Sequence, residues 1–156
     1  IHCFSQTDAC KINPDRITKT TILLFNTHKE ITMSKIKILI VDDSRAMRRL
    51  IKRSLRQAGF MNIESDEAAN GVEALEKFAT FLPHLVLSDW NMPEMSGIEL
   101  LRTLNTQYAD VNLGFITSQV TQDMRMQAQE AGALFFLSKP FTVDKLKWTL
   151  EPYLED

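Results

Sequence analysis

The stretch LVLSDWNMPEMSG, residues 85–97, joins an apolar run to a carboxylate. Its opening residues lack helical spacing and read as a strand covered on both faces. The run ends at Asp89, followed at once by Trp90, Asn91 and the Met92–Pro93 step. A carboxylate closing a buried strand is costly unless something compensates it. The stretch therefore predicts a strand whose C-terminal end serves a polar site.

The same join recurs in both directions along the chain. IKILIV (36–41) is a β-branched apolar run that ends in Asp42-Asp43. Ser44 is placed to cap the helix RAMRRLIKRSLRQA, where Met47, Leu50, Ile51 and Leu55 recur at helical spacing and Gly59 supplies a stop. MNIES (61–65) reads as a short second strand. Asn70-Gly71 opens the helix VEALEKFATF, with Val72, Leu75, Phe78 and Ala79 on one face. HLVLS (84–88) is the third strand, and Ser96 caps GIELLRTLN. VNLGFIT (111–117) is the fourth strand, and Gly114 within it marks close packing. QDMRMQAQEA is a helix stopped by Gly132, LFFLS (134–138) is the fifth strand, and Thr142 caps VDKLKWTLEPYL. Strict strand–helix alternation implies an α/β fold with a five-stranded parallel sheet, and right-handed crossovers make it doubly wound.

Composition excludes several classes. The 156 residues carry a net charge of −2, with 44% apolar and 24% charged residues, which gives no basis for a nucleic-acid surface. No apolar run approaches the roughly 18 residues that span a bilayer. Cys3 and Cys10 read as incidental thiols rather than a disulfide framework or metal pair. Residues 1–32 show no sustained period and no signal-peptide core, whereas MSKIKILIVDD begins at Met33. The expectation is an extension over 1–32, poorly ordered or non-native, and one folded domain over 33–156; a functional N-terminal arm is the alternative.

In a doubly wound sheet, ligands bind beyond the C-terminal strand ends. There this chain carries Asp42-Asp43, Asp89, Thr117-Ser118 and Lys139-Pro140. Three close carboxylates repel one another and call for a compensating cation. Hard oxygen donors suit Mg²⁺. An Asp carboxylate is also a competent nucleophile toward phosphoryl groups, and a lysine offsets their charge. Taken singly, Asp42-Asp43 is equally a solvated turn with a helix cap, Lys139-Pro140 a turn, and Thr117 a strand residue. Their joint placement at successive strand ends favours a phosphoacceptor site at Asp89.

ILIVDDSRAMRRLI, LVLSDWNMPEMSGIELL, FITS and AGALFFLSKPF together resemble response-regulator receiver domains, most closely the single-domain chemotaxis type. The resemblance covers essentially the whole chain after Met33. It implies a flavodoxin-like (βα)5 fold with strand order 2-1-3-4-5. Asp89 would be phosphorylated by a histidine kinase. Asp43, Asp89 and the Asn91 carbonyl would ligate Mg²⁺ directly, and Asp42 through water. Lys139 would contact the phosphoryl group. Thr117 would be the switch hydroxyl and Phe136 the switch aromatic, rotating inward as Thr117 moves. Asn91 and Gln119 would set the dephosphorylation rate. The Lys139–Pro140 bond would be cis. The output surface would be the fourth helix, fifth strand and fifth helix.

The same resemblance implies a cytoplasmic signalling protein that catalyses only its own phosphotransfer and dephosphorylation. No nucleic acid or membrane would be involved. A flagellar switch protein is one candidate target. Gln122, Arg125 and Phe136 depart from the Lys, Ile and Tyr usual in motor-binding regulators, which leaves a phosphorelay intermediate or phosphate sink as the alternative.

Other classes fit less well. A haloacid-dehalogenase-type phosphatase needs Asp-x-Asp, but Asn91 stands at the second position. A flavin carrier needs a Ser/Thr/Gly-rich loop where Asp42-Asp43 lies. Trp90 reads either as an exposed reporter beside the site or as a packing residue. Trp148 is partner-facing or packed, and His84 is a surface residue.

Overall fold

The computed structural model describes residues 34–154, so the two cysteines, Met33 and residues 1–32 lie outside the described residues. Five strands alternate with five helices: β1 (Ile36–Val41), α1 (Arg45–Gln57), β2 (Ile63–Ala68), α2 (Gly71–Phe81), β3 (Leu85–Ser88), α3 (Gly97–Gln107), β4 (Leu113–Thr117), α4 (Gln122–Ala131), β5 (Phe136–Ser138) and α5 (Val143–Leu154). Every strand pair is parallel and the order is β2-β1-β3-β4-β5.

Strand alternation sorts the core into two layers. Leu39, Val41, Val86, Leu113 and Phe115 meet Ala74 and Phe78 of α2, the α3 leucines, and Met124 and Ala128 of α4. Ile38, Ile40, Leu85, Leu87, Ile116 and Leu137 meet Ile51 and Leu55 of α1 and Leu146, Leu150 and Leu154 of α5. β1, β3 and β4 lie inside the sheet, which explains their unbroken apolar runs.

Side chains cap the helices as the sequence predicts. The Ser44 hydroxyl accepts from the Met47 N–H at 3.3 Å, and Thr142 accepts from the Lys145 N–H at 3.1 Å. Ser96 and Glu99 form a reciprocal capping box at the start of α3. Gly132 closes α4 at φ 81°, a conformation that a Cβ disfavours.

Three expectations need correction. The second strand begins at Ile63 rather than Met61 and runs to Ala68; Met61 is 81% exposed. β2 is an edge strand, so Glu64, Asp66 and Glu67 are tolerated within it. On α2 the packed face is Gly71, Ala74, Leu75 and Phe78, with Val72 and Ala79 exposed. On α1, Leu50 is exposed while Ser54 turns inward beside Ile51 and Leu55.

Gly114 packs as its position in a strand implies. A Cβ there would stand 2.2–2.5 Å from the Phe135 ring atoms, so the aromatic ring occupies the space above the glycine.

Candidate functional site

Three strands deliver three carboxylates and a hydroxyl to one edge, and a fourth strand delivers a lysine. Asp42 and Asp43 follow β1, Asp89 follows β3, Thr117 ends β4 and Lys139 follows β5. One carboxylate oxygen from each of Asp42, Asp43 and Asp89 lies within 4.8 Å of the others. The Lys139 ammonium donates to Asp42 Oδ2 at 2.6 Å and to Asp89 Oδ2 at 3.1 Å. Its backbone N–H bonds the Thr117 carbonyl at 2.9 Å, and the Lys139–Pro140 peptide is cis, as the sequence resemblance implies.

Asp42 is the most restrained of the three. It is only 1% exposed. Its Oδ1 accepts from the Ser44 N–H at 2.8 Å, and its carbonyl accepts from Arg48 Nη1 at 2.7 Å. Arg48 Nε in turn donates to Glu67 Oε2 at 3.0 Å. Asp89 Oδ1 accepts from the Trp90 N–H at 2.7 Å, which leaves Oδ2 toward Lys139. Asp43 is exposed.

Burial pushes the Asp42 carboxyl above its usual range, and the Asp89 charge adds to this, outweighing the hydrogen bonds from Lys139 and Ser44. Burial alone would lower the Lys139 ammonium, but the Asp42 hydrogen bond and the charges of Asp42 and Asp89 outweigh it and raise its pKa. Lys139 is therefore a firm cation, and Asp42 is carboxyl-crowded in spite of it. One ammonium, paired with Asp42 and Asp89, among three carboxylates leaves the edge short of positive charge. The donor set is all hard oxygen with an accessible member in Asp43, which fits Mg²⁺.

The Thr117 hydroxyl is 1% exposed and has no hydrogen-bond partner among the described residues. A buried hydroxyl left without a partner costs roughly 1–3 kcal/mol. Asn91 and Gln119, both exposed, approach each other across the site, with Asn91 Nδ2 3.5 Å from Gln119 Oε1.

Trp90 takes the packing role: it is 7% exposed, 4.8 Å from the Phe115 ring and 5.8 Å from the Phe136 ring. Phe136 also stacks on Phe115 at 5.2 Å, and the Arg125 guanidinium lies 5.8 Å from its centroid. An aromatic stack therefore runs from the residue beside Asp89 to β5 and α4. Trp148 is 71% exposed and so is not a core residue. His84 is exposed and its Nδ1 accepts from the Lys37 N–H at 2.8 Å.

Two constraints were not read from the sequence. Gly97 sits so close under the site that a Cβ would lie 2.1 Å from the Asp89 carbonyl oxygen. Arg48 reaches the end of β1 from within α1. The available signals were a glycine straight after the Ser96 cap and an Arg one turn into α1.

Residues 38–151 match the family model of the response regulator receiver domain. The chain is 38% identical over 122 residues to the chemotaxis protein CheY of Pseudomonas aeruginosa, a span covering 77% of this chain and 97% of that protein. It is 37% identical to chemotaxis protein CheY1 of Helicobacter pylori, covering 76% and 97%. The structure of Vibrio cholerae chemotaxis protein CheY4 superposes with a TM-score of 0.69 at 32% identity, covering 77% and 99%. A CheY-like receiver domain from Methanospirillum hungatei gives 0.70 at 28% identity, covering 78% and 95%.

Proposed function

The chain belongs to the response regulator receiver domain family, and we propose that it is a phospho-switch with Asp89 as the phosphoacceptor. The observation that carries this reading is the Lys139 ammonium bridging Asp42 and Asp89, with the unpartnered Thr117 hydroxyl on the adjoining strand. Each of these groups is suited to a phosphoryl group held at Asp89.

In the proposed reaction, an Asp89 carboxylate oxygen attacks the phosphorus of a histidine kinase's phosphoimidazole. The O–P bond forms as the N–P bond breaks, and the imidazole leaves with a proton. Lys139 offsets charge on the phosphoryl oxygens. Asp43, Asp89 and the Asn91 carbonyl would hold Mg²⁺, with Asp42 acting through water, and the ion would supply further positive charge there. The Thr117 hydroxyl then donates to a phosphoryl oxygen. Its movement repacks Phe136 and shifts α4 and β5 between two states a few kcal/mol apart. Asn91 and Gln119 govern access of the hydrolytic water.

The phosphorylated form binds its target through α4, β5 and α5. The chemotaxis relatives make a flagellar switch protein the first target to test. No described helix is long and apolar enough to cross a membrane. The likeness to chemotaxis regulators makes the cytoplasm the proposed site of action.

The test is labelling by a small phosphodonor with Mg²⁺, read by intact mass. One phosphoryl group per chain is expected, lost in Asp89→Asn; persistent labelling of that variant would sink the assignment. Beryllofluoride-loaded protein is then titrated with the N-terminal peptide of a flagellar switch protein. Tighter binding supports the chemotaxis output. Labelling without peptide binding assigns the chain to a relay or sink role.

A further inference from the structure

We infer that Arg48, fixed by Glu67, is a positioning residue that sets the Asp42–Asp43 peptide and thereby aims the Asp43 carboxylate at the metal. The inference rests on the proposed Mg²⁺ site and concerns a residue that makes no contact with the three carboxylate side chains. Arg48 Nη1 donates to the Asp42 carbonyl at 2.7 Å. That carbonyl shares a planar peptide with the Asp43 nitrogen. Holding its oxygen fixes the peptide plane before the Asp43 Cα, and the Ser44 N–H bond to Asp42 Oδ1 at 2.8 Å holds the plane after it, so the two together set where the Asp43 side chain leaves the backbone.

Asp43 needs such a support more than its neighbours do. The Asp42 side chain is pinned by Ser44 and Lys139, and the Asp89 side chain by Trp90 and Lys139. Asp43 is exposed, and its carboxylate has no hydrogen-bond or ion-pair partner among the described residues. Its orientation is left to the backbone. β1 ends at Val41, where its register with Ala68 and Ser88 also ends. The Asp42 N–H still donates to the Ala68 carbonyl at 3.1 Å, but the Asp42 carbonyl turns to Arg48 instead of a strand.

Arg48 is itself fixed. Its side chain is 14% exposed, and Nε donates to Glu67 Oε2 at 3.0 Å. Glu67 lies on β2 opposite Ile40. One planar guanidinium thus ties the edge strand to the end of β1 with two charge-assisted bonds from different nitrogens, a geometry that lysine cannot reproduce.

Geometry and charge predict opposite signs for one variant, which makes the inference testable. Arg48 is a cation near a cation site. If it acted only through charge, Arg48→Met would relieve repulsion and tighten Mg²⁺. If it acts by positioning, Arg48→Met loosens Mg²⁺. Residues that orient metal ligands are worth roughly 10–100-fold in affinity.

The experiment is calorimetric titration of Mg²⁺ into the full chain, comparing wild type with Arg48→Met, Arg48→Lys and Glu67→Gln. Melting of each in Mg²⁺-free buffer restricts the comparison to folded protein. We expect Arg48→Met and Arg48→Lys each to weaken Mg²⁺ about 10-fold, and Glu67→Gln to weaken it less, because an amide oxygen still accepts from Nε. Unchanged or tighter binding in folded Arg48→Lys and Arg48→Met overturns the positioning role and leaves the metal site standing. No Mg²⁺ binding by the wild type overturns the metal reading, and this inference with it.

Discussion

Thr117→Val should make the protein more stable and disable its switch. The substitution exchanges a hydroxyl for a methyl of similar shape on β4, where a β-branched residue fits the strand. In the folded chain the hydroxyl is 1% exposed and unpartnered among the described residues. In the unfolded chain, water bonds it freely. Mutational data place the cost of such a buried group at roughly 1–3 kcal/mol. A gain of about 1–2 kcal/mol is the expectation for valine. Unfolding entropy near 2.1 cal/mol/K per residue, over about 120 residues, converts this to a rise in Tm of about 4–8 °C. Circular dichroism melts in Mg²⁺-free buffer measure it. The same variant should still be labelled at Asp89, since Thr117 is not the nucleophile, yet lose phosphorylation-dependent target binding. A fall in Tm of more than about 2 °C would show that the hydroxyl is well bonded in the folded state and refute the reasoning.

Gly97→Ala should destabilise by about 3 kcal/mol, the upper end of ordinary overpacking, because its Cβ would meet the Asp89 carbonyl oxygen at 2.1 Å and no side-chain rotation relieves a backbone clash. A melt within about 2 °C of wild type contradicts this. Gly114→Ala should cost roughly 1–3 kcal/mol alone and less when Phe135→Leu removes the ring that fills its space. Denaturant titrations that give additive effects within about 0.3 kcal/mol would dismiss the coupling.

Glu73 adds a pH dependence. It accepts from the Ala69 N–H, which holds its carboxyl below the usual glutamate range; burial opposes this less strongly, and Lys77 assists. A depressed carboxylate stabilises the fold above its unfolded pKa and loses that contribution as pH falls through the folded pKa. Glu73→Gln should therefore lower Tm at neutral pH and match wild type in acid below both values. A gap of equal size at both pH values would count against the ionised contact.

The sheet was legible because its three inner strands are covered on both faces and so read as unbroken apolar runs. Beyond those runs, each carboxylate falls at a strand end, and parallel strands put their C-terminal ends on one edge. The meeting of Asp42, Asp43, Asp89, Thr117 and Lys139 at one edge thus follows from topology once the strands are found. β2 was less legible because an edge strand is selected by pairing rather than by hydrophobicity. Its register with β1 carries it to Ala68 through Asp66 and Glu67. Helical spacing located α2 but not its rotation. Gly71 packs where a Cβ would touch Met95 at 2.7–2.9 Å, and this close approach turns Val72 and Ala79 outward. Trp90 could not be assigned from its neighbours in sequence, because its packing partners come from β4 and β5.

Two energetic costs converge on one edge of this domain, and a phosphoryl group with a cation would relieve both. The carboxylates outnumber the lysine that faces them, so added positive charge is favourable there. The Thr117 hydroxyl is buried without a partner, so an acceptor within its reach is favourable too. Neither cost serves stability, and a core built only for stability would carry apolar side chains at these strand ends. Both sit one residue or one strand away from an aromatic stack that reaches α4. Thr117 lies two residues after Phe115 on the same face of β4, so relief of its hydroxyl would act next to that ring. Phe115 contacts both Trp90, next to Asp89, and Phe136, on the face toward Arg125. The route from chemistry to surface is therefore short. It would consist of contacts between rings 4.8–5.8 Å apart, with Phe115 touching both Trp90 and Phe136.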